Sequence, residues 1–267
     1  MFFEPSPTQF DLRFRLFGIA VRVSPWFWVM SAVLGWGGGP DRDREFFLQR
    51  LLIWIACVFV SVLVHEMGHV LVGRSFGSHG HIVLYGMGGL AIDSNALDRR
   101  WQRIAVLAAG PGAGFLLLGV VWGIVHLSGM AERDMPRMAR VAYGALVWIN
   151  LVWGLVNLLP IWPLDGGQIS RDVCSGLWRD RGVRLALGIS TFIAGLIAVH
   201  ALALELSKAY VERVIELVLQ WGRWSDFLLG LGGWYVAIFF GMLALSSWTT
   251  LQHLERQQRD WDDRWED

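Results

Sequence analysis

Six apolar stretches divide the chain, at approximately 21–36, 51–73, 102–128, 140–162, 183–204 and 227–250. At about 1.5 Å per residue, each is long enough, or nearly so, to cross a hydrocarbon core of about 30 Å as a helix. A different pattern breaks in after the second. "HIVLYGMGGLAID", His81 to Asp93, reads as a short apolar strand, a glycine-rich turn at Gly86 to Gly89, and a second short strand. Residues 205–226 carry apolar side chains at helical spacing with charges between them. They suit an interfacial amphipathic helix, or an extension of the fifth span. The tail "LQHLERQQRDWDDRWED" is charged, so solvated. The pattern predicts an all-α polytopic membrane protein with about six transmembrane helices and a small membrane-associated β-hairpin after the second. Residues 1–204 form its core. Residues 205–267 hold the amphipathic helix, the sixth span and the tail.

Composition agrees. Charged residues make up 17% of the chain, against about 25% in a soluble domain. The formal net charge is zero, which argues against a nucleic-acid partner and leaves the lipid bilayer as the obvious one. Two cysteines, Cys57 and Cys174, exclude a disulfide framework and are expected as thiols. The N-terminus is mixed in charge and carries prolines, unlike a cleavable signal. Tryptophans such as Trp26, Trp36, Trp101 and Trp234 fall near span ends, as in an aromatic belt. With the N-terminus inside, the inner segments hold 14 Arg and the outer loops 9 Arg or Lys. That places both termini in the cytoplasm. Arginine outnumbers lysine 22 to one, a bias of GC-rich genomes that suggests a bacterial plasma membrane.

The second span is where the apolar pattern fails. From Leu51 to Val72 the strongly polar side chains are Ser61, His65, Glu66 and His69. An ionisable group deep in such a span costs on the order of 2.5–3.5 kcal/mol on insertion scales. His65 and His69 are four apart, so they lie on one helix face, one turn above the other. Two imidazoles so placed reach one zinc ion, and Glu66 falls within the same arc without taking a ligand position. This is the H-E-x-x-H arrangement of two ligands and a general base. The competing reading is a polar cluster that packs helices together.

Two histidines leave zinc short of a third protein ligand. Candidates are His79, His81, His126, His200 and several carboxylates. Asp165 in "NLLPIWPLDGGQIS" is the most informative. Pro160 and Pro163 break the end of the fourth span, and Gly166 and Gly167 allow close approach. A helix-terminating turn at the membrane surface is the plain alternative. The Gly110–Pro111–Gly112 segment either opens a wet cavity or packs helices closely. Asn150, two turns before Asn157, suits an interhelical hydrogen bond.

"HEMGH" in one span and "NLLPIWPLDGG" at the end of a later one resemble the site-2 protease family of intramembrane zinc metalloproteases. "FGIAVRVSPWFW", "GRSFGSHGHIVLYGMGGLA" and "AAGPGAGF" resemble further family segments, so the likeness covers roughly residues 17–185. It is closest to compact members without PDZ or CBS domains, a branch that includes sporulation-factor-processing proteases. The resemblance implies zinc held by His65, His69 and Asp165, Glu66 as general base, and Asn157 in substrate or transition-state contact. Two departures stand out. Gly114 replaces an asparagine that many members carry, and Trp162 stands where a small residue or proline is usual.

The implied function is an intramembrane zinc endopeptidase, with Glu66 activating a zinc-bound water against a peptide bond in or beside a transmembrane segment. The implied substrate is a membrane-embedded protein, such as an anti-sigma factor or a membrane-tethered regulator. Such a substrate is a helix that must be unwound. The 81–93 hairpin offers an edge for strand addition, with Leu84, Gly86, Gly88 and Gly89 as the residues to meet it. A hairpin that merely caps the fold is the alternative. Two other functions fit less well. One is a catalytically silent metal-binding protein that binds membrane partners, which has no need of Glu66. The other is a small-solute transporter, for which no inverted repeat is visible.

Overall fold

The computed structural model describes residues 4–36, 44–86, 88–129, 134–207 and 233–266. It divides into two compact units, Met1–Leu158 and Leu159–Asp267.

In the first unit, β1 (Leu12–Leu16), β2 (Ile19–Val23), β3 (His81–Tyr85) and β4 (Gly88–Ile92) form one sheet in that order. The expected hairpin is β3–β4, and the sheet doubles it with β1–β2. Leu16 pairs with Ile19, so the first turn is Phe17–Gly18, with φ of 50° and 72°. Positive φ at both turn residues is the twist a two-residue hairpin prefers. β2 and β3 pair in parallel. The crossover between them contains α1 (Pro25–Trp36) and α2 (Arg44–Ser75).

One face of the sheet lies on α2. Ile19, Val21 and Val23 from β2 and Ile82 and Leu84 from β3 are buried against Leu63, Met67 and Val70. Period two in the strands meets helical spacing in α2, which is why these residues form one core.

The first predicted span corrects in kind. It is not one helix but β2 followed by α1, whose 12 residues reach only about 18 Å. Together they run back along α2. Gly18 O accepts from Arg74 Nη2 at 3.2 Å near one end, and the Trp36 and Phe47 rings meet at 5.0 Å near the other. A strand is tolerable there because β1 and β3 take the hydrogen bonds of β2. Further on in this unit come α3 (Arg100–Leu127), α4 (Arg137–Val147), a π-helical turn (Trp148–Trp153) and α5 (Gly154–Asn157).

The second unit contains α6 (Asp165–Leu206) and α7 (Trp234–Glu266). Non-helical dihedrals at Trp178 and Arg179 break α6 in two. The chain then doubles back so tightly that a Cβ at Gly182 would strike the Cys174 carbonyl. Five helical segments among the described residues are long and apolar enough to cross a membrane: Glu45–Ser75, Arg100–Leu127, Arg137–Asn157, Arg181–Leu206 and Trp234–Gln257. The protein is therefore a polytopic membrane protein, mostly helical, with a small four-stranded sheet near its N-terminus. The sixth predicted span is α7 from Trp234 onward, and the helix runs on through the charged tail to Glu266. The amphipathic helix expected at 205–226 lies almost wholly outside the described residues. Cys57 and Cys174 are buried thiols.

Candidate metal centre

Helix α2 is unbroken through His65, Glu66 and His69. The two imidazoles stand edge to face, 4.9 Å apart at 80°, with their Nε2 atoms 3.2 Å apart. His69 Nδ1 lies 2.7 Å from the Val106 carbonyl oxygen on α3. A carbonyl only accepts, so Nδ1 carries the hydrogen. In the neutral ring, Nε2 then presents its lone pair beside His65. Ligand nitrogens of a tetrahedral zinc at about 2.0–2.1 Å stand roughly 3.3 Å apart. The observed separation and the donor set fit zinc. Holding the second nitrogen of a ligating histidine on a backbone carbonyl is the usual way to fix its tautomer.

Three glycines close around this turn of α2. A Cβ at Gly110 would strike the His69 ring, one at Gly68 the Ala109 carbonyl, and one at Gly89 the Glu66 carboxylate. Helix α3 continues through Pro111. Of the two readings of the Gly-Pro segment, close packing holds at Gly110. Gly89 belongs to β4, so the outer strand of the sheet lies directly on the carboxylate of Glu66. Both Glu66 and His69 are buried, at 6% and 5% exposure.

Asn150 fits the interhelical reading. It sits in the π-helical turn and donates to Ser61 Oγ at 2.9 Å, one helical turn before His65. Its Oδ1 would stand 3.3 Å from a Cβ on Gly114, so the missing side chain there makes room for this amide. Asn157 is the last residue of α5 and half-buried.

His79 is exposed in the loop before β3. His81 lies 3.6 Å from Glu4, and alternation puts it on the sheet face opposite Ile82. Neither stands with His65 and His69, so the alternative of a third ligand from this loop is set aside. Leu84 is fully buried, between Val23 of β2 and Gly89 of β4. Gly86 sits in the β3–β4 turn, against Met30 of α1. Gly88 and Gly89 lie on β4, whose other edge has no strand partner among the described residues.

In the second unit Asp165 is the first residue of α6, where the helix dipole favours a carboxylate. The loop before it is held by two serines. Trp162 N–H donates to Ser190 Oγ at 2.7 Å, Ser247 Oγ donates to Trp162 O at 3.3 Å, and the hydroxyls meet at 2.7 Å. A Cβ at Gly167 would strike the Ile161 carbonyl, which is the close approach expected of this pair of glycines. Sequence reasoning missed Ser190 and Ser247. Each stands in an apolar span beside a second hydroxyl, Thr191 and Ser246, so no signal in the sequence singled them out.

Comparison with known proteins agrees with this architecture. Residues 129–202 match Peptidase family M50. A candidate zinc metalloprotease from Synechocystis sp. is 32% identical over 62% of this chain and 44% of its own length. The chain is thus similar to peptidase family M50, the site-2 proteases, over part of its length. The stretch matched by the M50 family holds Asn157 and Asp165, and the H-E-x-x-H turn precedes it. Stage IV sporulation protein FB of Bacillus subtilis is 28% identical over 57% of this chain and 46% of its length. These matches thus span less than half of each curated relative. The solved Site-2 Protease from Methanocaldococcus jannaschii shares the fold, with a TM-score of 0.52 and 21% identity, over 89% of this chain and 95% of that one.

Proposed function

We propose that this protein is an intramembrane zinc endopeptidase of the M50 type that cuts membrane proteins in or beside a transmembrane segment. The observation that carries the reading is the pair of Nε2 atoms 3.2 Å apart, one tautomer fixed by Val106, with buried Glu66 on the same turn.

His65 and His69 hold the metal, and Asp165 supplies the third ligand. Zinc, when bound, supplies Lewis-acid polarisation and makes water a usable nucleophile near neutral pH. Glu66 takes the proton of the attacking water and passes it to the leaving amide nitrogen, a role worth about 10²–10⁴ in rate. The Asn157 amide donates to the developing oxyanion, a contact worth about 10²–10³.

A substrate helix offers an amide that is already hydrogen-bonded. It unwinds to be cut, and its freed backbone adds to the outer edge of β4, with Gly88 and Gly89 giving the backbone close access. Gly86 and Leu84 support this strand from behind. The substrate class is a membrane-embedded protein, such as a membrane-tethered regulator or an anti-sigma factor. A bacterial plasma membrane with both termini on the cytoplasmic side fits the arginine bias.

The deciding experiment is Glu66→Gln in the full chain, assayed against a single-span reporter with zinc content measured in parallel. Retained zinc with cleavage lowered at least about 10²-fold is expected. Cleavage at the parent rate would refute the role of Glu66.

A further inference from the structure

The outer face of the sheet carries charged side chains that the proposed function does not use. A cavity of about 530 Å³ lies there, lined by Glu4, Arg13, Arg15, Arg22 and His81. Its charges are unequal in availability. Arg22 is neutralised, with Nη2 donating to Glu4 at 2.7 Å and Nη1 to Asp11 at 3.0 Å. Glu4 is thereby engaged as well. Arg13 and Arg15 alternate with Leu12, Phe14 and Leu16 on β1 and share one face. Both are exposed, and among the described residues neither has a carboxylate within salt-bridge distance. The cavity thus presents two guanidinium forks with no counter-ion among the described residues.

The surroundings say what kind of anion fits. The β1–β2 turn touches Arg74 in the last turn of α2. Nearby, Phe76 packs on Trp101 in the first turn of α3, with ring centroids 5.1 Å apart. Arginine and tryptophan at the ends of two crossing helices mark the level of the membrane boundary. Beside that level the sheet exposes Phe17 at its turn tip, 80% accessible. This ring does not serve the core. A free anion has no use for it, whereas a headgroup arrives with apolar chains attached. We propose that Arg13 and Arg15 form a headgroup site for an anionic glycerophospholipid. The phosphodiester accepts from the guanidiniums, and Phe17 enters the boundary layer. The site does not depend on the protease reading.

The test uses the full chain in detergent, stripped of lipid and then incubated with equal parts phosphatidylglycerol and phosphatidylcholine. Native mass spectrometry counts the lipids retained. The parent protein is expected to keep phosphatidylglycerol selectively. R13Q/R15Q is expected to lose about twenty-five-fold in that affinity, about fivefold per arginine, while R13K/R15K and R256Q in the second unit keep the preference. The lysine pair guards against a folding defect in the glutamine pair. Equal selectivity in R13Q/R15Q overturns the proposal. So does displacement of the lipid by millimolar inorganic phosphate, which marks a free-anion site.

Discussion

Gly110 of α3 lies against the Nε2 end of the His69 imidazole, with no room for a methyl group between them. The ring is therefore clamped on one side by helix backbone, while its Nδ1–H is held by Val106 one turn earlier on the same helix. One stretch of α3 fixes both the position and the tautomer of a proposed metal ligand.

Gly110→Ala is expected to push the ring aside and weaken zinc binding about 10–100-fold, the usual scale for a group that supports a ligand. Competition with a chelator measures this. Gly112→Ala is the control, since a Cβ there meets nothing within 4 Å. Equal affinity in both variants would remove Gly110 from the design of the site.

Asp165→Ala is expected to lower zinc stoichiometry in the purified protein well below one, while His79→Ala and His81→Ala keep it near one. His81 sits with Glu4 on the far face of the sheet. Zinc lost from the His81 variant and kept in the Asp165 variant would reverse the ligand assignment.

The Ser190–Ser247 pair satisfies both backbone groups of Trp162, three residues before Asp165. Replacing both serines by alanine leaves buried groups without partners, at about 1–3 kcal/mol for each. Faster amide exchange across 161–168 is expected, with α3 unchanged as an internal reference. Unaltered exchange there would show that other contacts hold the loop.

Acid should loosen the N-terminal segment late. The Thr8 hydroxyl and backbone N–H, and then Arg22, hold the Asp11 carboxyl at about 2, below its ordinary 3.8. A lowered value means the folded state favours the carboxylate. Its contribution is complete above the ordinary value and is lost as pH falls through the folded one. The Thr8 amide, which donates to Asp11 at 3.0 Å, should report an NMR titration with a midpoint near 2. A midpoint near 4 would show that the contact is not kept in solution.

The sequence by itself determined what local spacing controls. A four-residue separation puts His65 and His69 on one helix face whatever surrounds them. Pro160 and Pro163 end a helix before Asp165, and long apolar runs declare a membrane protein. What it left open depends on partners distant in the chain. "FGIAVRVSPWFW" is apolar enough for a helix, yet β2 becomes a strand because β1 and β3 bind its backbone; no local preference encodes that. Hydropathy does not separate a Gly-Pro break that opens a cavity from one that packs a ring, and Gly110 is decided by the helix that lies against it. The hydroxyls of Ser61, Ser190 and Ser247 read as ordinary polar positions. Only the tertiary structure gives them partners, because a hydrogen bond between segments is fixed by distances that sequence separation does not carry.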